Sequence, residues 1–380
     1  MARLIVSTYM VRYPLGGGLW WALQWIGGLK DLGHDVFVVE KANYPNACFD
    51  PIKRIMADDA SHGLGTVRAL LEDVGLADRL CFVDYHGQYH GMSRPVVEAM
   101  FRSAEVLIDI GNHGAWLPEA ASCRRVLVDG EPGYSQMKLA SAEAAGTAVA
   151  QYDHYFTNGA NIGTSRCDVP AAGRSWRHVF NPVMTHRVRP RPPPEGAPFT
   201  TVMNWQSHEP LQFGGRTYRQ KDAEFEKFMR LPREIRVPIE VAVAGLNTPI
   251  AALQESGWRV VDAHAVTASV DSFRRYIDAS AGEFSVCKNV FVATGCGWFS
   301  DRSAAYLAHG RPVVIQDTGI RDLLPCGDGL FAVGSTEEAA DAIDRITADY
   351  PRHSAAARRL AEDYLDTRVV LKKFLAQVLT

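Results

Sequence analysis

Residues 282–319, GEFSVCKNVFVATGCGWFSDRSAAYLAHGRPVVIQDTG, constrain the fold more than any other part of the chain. The apolar run 290–293 is expected as a buried strand, the turn-rich 294–300 as a loop, and about 301–309 as a helix that Gly310 ends. Residues 311–316, β-branched and apolar, then read as a second strand, and strand–loop–helix–strand is the repeating unit of a parallel sheet. Ser300 suits the N-cap and Asp301 the first turn, which would gather unpaired backbone N–H groups at Ser300, Asp301, Arg302 and Ser303. A helix start of that kind can hold phosphate, and Arg302 would add a formal charge. An ordinary capped helix of an α/β sheet carries the same pattern, so the segment alone does not decide function.

The remaining chain repeats this alternation twice over, with a break. Residues 4–7 read as a strand, Gly16, Gly17 and Gly18 precede a helix over 19–32, and 36–39 form the next strand. Three glycines between strand and helix let backbone approach an anionic ligand closely, although they do not make the G-x-G-x-x-G of a dinucleotide site. Strands follow at 80–83, 105–110, 125–128 and 152–157. Two of them end in polar, glycine-bearing loops, Asp109-Ile110-Gly111-Asn112-His113-Gly114 and Asp129-Gly130-Glu131-Pro132-Gly133-Tyr134. Open α/β sheets place ligands beyond the carboxyl ends of their strands, so these loops are the catalytic candidates of the first half. His86 and His90 lie four apart in a loop with two glycines, which does not give the helical geometry of a zinc pair.

The run Arg187-Val188-Arg189-Pro190-Arg191-Pro192-Pro193-Pro194-Glu195-Gly196 can continue neither helix nor central strand and reads as a semi-rigid linker. With 380 residues to divide, the expectation is two domains, 1–190 and 197–365, and a terminal helix over 366–380 that crosses back to the first. The second half opens with a strand at 199–203, a polar loop at 204–217 and a helical pattern at 218–231, with Arg216 and Lys221 flanking the helix start. Forty basic against 43 acidic residues leave a formal charge of −3, and nothing in that balance points to nucleic acid or an anionic membrane. Residues 4–6 are too short for a signal core and no run of about 18 apolar residues occurs, so the expected location is cytoplasmic. Seven cysteines without a C-x-x-C pair argue for reduced thiols.

Two stretches resemble a known class. Ala308-His309-Gly310-Arg311-Pro312-Val313-Val314 after a helix, followed by Asp317-Thr318-Gly319, is similar to the donor-binding half of GT-B glycosyltransferases, and WFSDRSAAYLAHGRPVVIQDTG resembles bacterial proteins labelled glycosyltransferases. Tyr13-Pro14-Leu15-Gly16-Gly17 before a helix ending in Leu32-Gly33-His34-Asp35-Val36 looks like the first βα unit of the same class. The resemblance implies an α/β protein of two Rossmann-like β/α/β lobes facing across a cleft. It implies a nucleotide-diphosphate sugar, UDP- or dTDP-linked, passed without metal or other cofactor to a small hydroxylated acceptor such as a natural product or nucleoside, in secondary metabolism. Donor contacts would come from Gly16, Gly17, Gly18, Arg216, Lys221, Glu283, Lys288, Ser300, Asp301, Arg302, Ser303, Asp317, Thr318 and Gly319. For the acceptor base His113 and Glu131 fit best, with Asp109 to orient the imidazole. The chain departs from retaining family 4 enzymes, whose glutamate pair falls here on Gly297 and Ala305. Two other readings stay open: an NAD(P)-dependent oxidoreductase using Glu40 after the second strand, and a nucleotide-sugar binder without catalysis.

Overall fold

The computed structural model describes residues 1–111, 114–207 and 209–379. Among these, the apolar runs form two separate sheets. The first contains β1 (Arg3–Ser7), β2 (Asp35–Lys41), β3 (Leu80–Val83), β4 (Tyr89–Gly91), β5 (Val106–Asp109), β6 (Arg124–Asp129), β7 (His154–Thr157) and β8 (Trp176–His178). Their order is β8-β7-β6-β5-β1-β2-β3-β4, with every neighbour parallel except the β3–β4 edge. Leu4, Ile5 and Val6 are each fully buried, as expected where helices cover both faces of a parallel sheet. The second sheet contains β9 (Phe199–Asn204), β10 (Ile239–Ala244), β11 (Arg259–Asp262), β12 (Gly282–Ser285), β13 (Val313–Gln316) and β14 (Leu330–Val333). It is parallel throughout, in the order β11-β10-β9-β12-β13-β14.

Each order reverses at its first strand, beside β1 and beside β9. Crevices open outside the carboxyl ends at such switch points, so residues following β1, β5, β9 and β12 are the ones a ligand would meet. Helix α1 (Gly16–Asp31) joins β1 to β2 and carries three tryptophans with three tasks. Trp20 packs on Phe273 of the second lobe at 6.4 Å, Trp21 donates to Asn181 Oδ1 at 2.8 Å, and Trp25 meets Phe374 edge-on at 5.5 Å. Phe374 belongs to the closing helix, α3 (Thr367–Val378), whose Leu371, Phe374, Leu375 and Val378 complete the core of the first lobe. Between β12 and β13 runs α2 (Asp301–Ala308). The lobes also meet where Asn161 Nδ2 donates to the carbonyls of Gly295 and Gly319 at 2.8 and 3.2 Å.

Three local expectations change. The strand expected at 290–293 is a short helix, Asn289–Thr294, and the strand beside β13 is Gly282–Ser285. Four consecutive apolar residues do not separate helix from strand, and here Phe291 turns inward to lie 4.6 Å from Trp298. The polar 204–217 loop contains an antiparallel hairpin, Leu211–Phe213 with Arg216–Tyr218, whose turn residues Gly214 and Gly215 both have positive φ (57° and 76°). The helical pattern of 218–231 is divided into Lys221–Phe225, a 3₁₀ turn Glu226–Phe228 and Leu231–Glu234, with Pro232 inside the last. No helix of the described residues is long and apolar enough to cross a membrane.

Candidate active site in the cleft

Second-lobe cations converge where β9 and β12 end. Lys221 opens its short helix and is 7% exposed; burial, with the Arg302 and Lys288 charges, pushes its pKa down to about 7. No ion pair to Lys221 occurs among the described residues. Ser300 caps α2 through its hydroxyl, which accepts the Arg302 N–H at 3.2 Å. Ser303, fully buried one turn in, has a hydroxyl with no hydrogen-bond partner among the described residues. Asp301 sits between, and desolvation raises its pKa against the opposing pull of Arg302.

Arg302 and Glu283 depart from their expected parts. Arg302 turns back over the strand ends, with Nε to Glu283 Oε1 at 2.5 Å, Nη2 to Ser285 Oγ at 2.5 Å and Nη1 to the Val202 carbonyl at 2.8 Å. Glu283 is fully buried in β12, so its carboxylate needs a cation beside it, and Arg302 supplies one. Their charges therefore cancel beneath the site: Glu283 does not face sugar hydroxyls, and Arg302 does not present a free charge to a phosphate. The Glu283 Oε2 atom finds no hydrogen-bond partner among the described residues.

The first lobe answers from the ends of β5 and β6. Asp109 closes β5, and its carboxylate accepts the N–H groups of Gly111 and Gly114 at 3.4 and 2.6 Å and the Tyr152 hydroxyl at 2.7 Å. His113 lies outside the described residues. Asp129 closes β6 and gathers the next loop, accepting from Glu131 N at 3.0 Å, Ser135 Oγ at 2.5 Å, Gln136 Nε2 at 2.8 Å and Thr157 Oγ1 at 2.9 Å. The loop so held presents Glu131 across the cleft, where both its oxygens accept from Lys288 Nζ at 2.7 and 2.6 Å. Residues 157 apart in sequence thus share one ion pair.

Tyr9 lies two residues beyond β1 and escaped the motif reading, although its position past a strand end is the signal used for Asp109 and Glu131. Burial raises its pKa first, and the Asp301 and Glu131 carboxylates add to the effect; its ring lies 5.8 Å from Trp21 and 6.4 Å from Tyr13. A second group without a motif braces the site: Glu224, 1% exposed, accepts from Asn289, Gln316 and Lys227.

Most of the other candidates have partners within the scaffold. Gly16 and Gly17 lie inside α1, Gly16 N donates to the Thr267 carbonyl at 2.7 Å, and a Cβ on Gly16 would stand 2.1 Å from the Ser269 carbonyl oxygen. This helix start meets the second lobe's backbone, so the close approach that glycine permits is between lobes. Gly18 has open space around it. Arg216 is exposed on the hairpin. Asp317 accepts the N–H groups of Gly319 and Ile320 at 2.8 and 3.1 Å and pairs with Arg321, while Thr318 Oγ1 donates to the Trp298 carbonyl at 2.6 Å. Gly319, at φ 91°, leaves room for Asn161. In the loop after β3, His90 Nε2 sits 2.8 Å from Asp84 Oδ2. Glu40, 1% exposed, accepts the N–H groups of Val11 and Arg12 at 2.7 and 2.9 Å and Arg12 Nε at 3.0 Å. That occupation removes the acid which the oxidoreductase reading required at a ribose.

No protein-family model and no curated protein sequence matches the chain. Solved structures do. An alpha-glucosyltransferase in complex with UDP is similar over 100% of both chains at 10% identity and a TM-score of 0.58. The same kind of enzyme with UDP and a 13-mer DNA gives 10% identity, a TM-score of 0.60 and 100% coverage of both. HepE from Anabaena in complex with UDP-glucose gives 14% identity and a TM-score of 0.59, covering 100% of this chain and 99% of its own. Similarity over whole chains, with two parallel sheets and a helix that returns to the first lobe, shows the GT-B fold.

Proposed function

We propose that the protein is a glycosyltransferase that takes a sugar from a UDP- or dTDP-linked donor to a small hydroxylated acceptor, without a metal. The observation that carries this reading is the meeting, at the switch points of a GT-B fold, of Lys221, Lys288 and the α2 start with acidic first-lobe loops. Lys221 and Lys288 hold the diphosphate, and the Ser303 hydroxyl and nearby N–H groups complete its contacts. The similar structures named above hold UDP or UDP-glucose, which supports a uridine donor here. Charge development on the departing diphosphate is what such fixed cations stabilise.

Transfer then has a simple balance. The acceptor oxygen bonds to the anomeric carbon, the bond from that carbon to the diphosphate oxygen breaks with its electron pair, and the hydroxyl proton passes to a carboxylate. Glu131 is that carboxylate in our reading, since it lies in the cleft and faces the donor cations. Asp109 shapes the adjoining loop. The formal charge of −3 supports a small acceptor over DNA, although four of the similar structures were determined with DNA.

Titration calorimetry with UDP, dTDP and NAD(H), followed by assay of UDP-glucose turnover, tests the reading. UDP or dTDP is expected to bind and NAD(H) not to bind. Absence of nucleoside-diphosphate binding would overturn the function, whereas salt-sensitive binding of a DNA duplex would move the acceptor class.

A further inference from the structure

We infer that Glu131 and Lys288 form a gate which the donor diphosphate must open, so that Glu131 becomes available to an acceptor only once the donor is in place. This rests on the donor reading above. The pair is bidentate, at 2.7 and 2.6 Å, and it joins the loop after β6 to the residue that precedes the helix Asn289–Thr294. Lys288 is the less exposed partner at 14%, and Glu131 the more exposed at 42%.

The two ends differ in freedom. The Glu131 backbone is held by Asp129, whose carboxylate accepts its N–H as well as the side chains of Ser135, Gln136 and Thr157. Only the Glu131 side chain, on the exposed side, can swing. The Lys288 ammonium stays with the second lobe, 5.8 Å from the Phe291 ring. A diphosphate seated by Lys221 brings more negative charge to Lys288 than one carboxylate does, and it repels Glu131 at the same time.

Both effects drive one exchange: phosphate oxygen replaces carboxylate on Lys288, and Glu131 is released from the second lobe into the cleft. While paired, Glu131 spends one lone pair of each oxygen on Lys288, and its side chain is held at the donor cation. The gate therefore imposes an order, donor before acceptor, and it makes Glu131 a competitor of the donor for Lys288.

That competition is measurable without knowing the acceptor. Glu131→Gln keeps the shape and loses the charge, so UDP is expected to bind about 5- to 30-fold more tightly than to the wild-type protein, the scale of one half-buried ion pair. Glu131→Asp, which keeps the charge on a shorter stem, should fall between the two and serves if the Gln variant misfolds. In a Lys288→Gln background the same Glu131→Gln change should bring no gain, which separates loss of the gate from a general relief of negative charge. Equal or weaker UDP binding by Glu131→Gln, or an undiminished gain in the Lys288→Gln background, overturns the gate. Failure of the wild-type protein to bind UDP or dTDP overturns the functional reading instead.

Discussion

Replacing Lys221 by Met separates what this lysine does for a ligand from what it costs the fold. The side chain is 7% exposed, and burial with the Arg302 and Lys288 cations brings its pKa from 10.5 to about 7. At about 1.4 kcal/mol per pH unit, holding the group in the folded protein at neutral pH costs on the order of 4 kcal/mol. The sign follows from proton counts: between about pH 7 and 10.5 the folded protein binds fewer protons than the unfolded chain. Stability therefore rises with pH through that window, and the destabilising contribution is complete below it. Met has a similar volume and no charge, so Lys221→Met is expected to raise the melting temperature at neutral pH by roughly 2–6 °C. It should also lose the part of the wild-type rise in melting temperature that appears as pH increases.

The same substitution removes a charged donor contact, and UDP affinity should fall by about 10- to 150-fold, equal to about 1.5–3 kcal/mol. At about pH 8 only roughly a tenth of Lys221 carries a proton, and a bound diphosphate restores it. Calorimetry at that pH in two buffers of different ionisation enthalpy should register uptake approaching one proton for the wild-type protein and less for Lys221→Met. A wild-type affinity that stays flat between about pH 6.5 and 8.5, with no proton uptake, refutes the placement of Lys221 against phosphate.

Arg302→Met leaves the Glu283 carboxylate buried without its cation and should cost about 3–5 kcal/mol in denaturant unfolding, most of it recovered by adding Glu283→Gln; no recovery in the double variant would contradict the pairing. Gly16→Ala forces a methyl group against the Ser269 carbonyl, 2.1 Å away, and should cost about 1–3 kcal/mol while enlarging the radius seen by small-angle scattering. An unchanged melting curve would show that the lobes do not meet there. Phe374→Ala empties a position packed between Trp25 and Phe156 and should cost about 3–5 kcal/mol, with unfolding of the first lobe registering the loss.

Local pattern carried the architecture. β-branched runs such as Val313-Val314-Ile315, the Ser300 cap and the proline run 190–194 each act over a few residues, so periodicity and capping chemistry are visible without a fold. Where local pattern was ambiguous, it misled: Val290-Phe291-Val292 is as apolar as a strand, whereas Glu283, a charged residue, is the one inside β12. Burial of that carboxylate is tolerable only because Arg302, 19 residues later, turns onto it, and no short window contains both.

The site follows the same division. The sequence by itself determined which groups are available: Lys221, Lys288, Glu131, Asp109 and a helix start fit to meet an anion. Tertiary structure decided which of them meet. It put Glu131 on Lys288 and Tyr9 against Trp21, drew Arg302 to Glu283 and turned Gly16 against Ser269. Electrostatic partnership depends on distances of a few ångströms between residues far apart in the chain, and those distances exist only once two sheets have folded and docked.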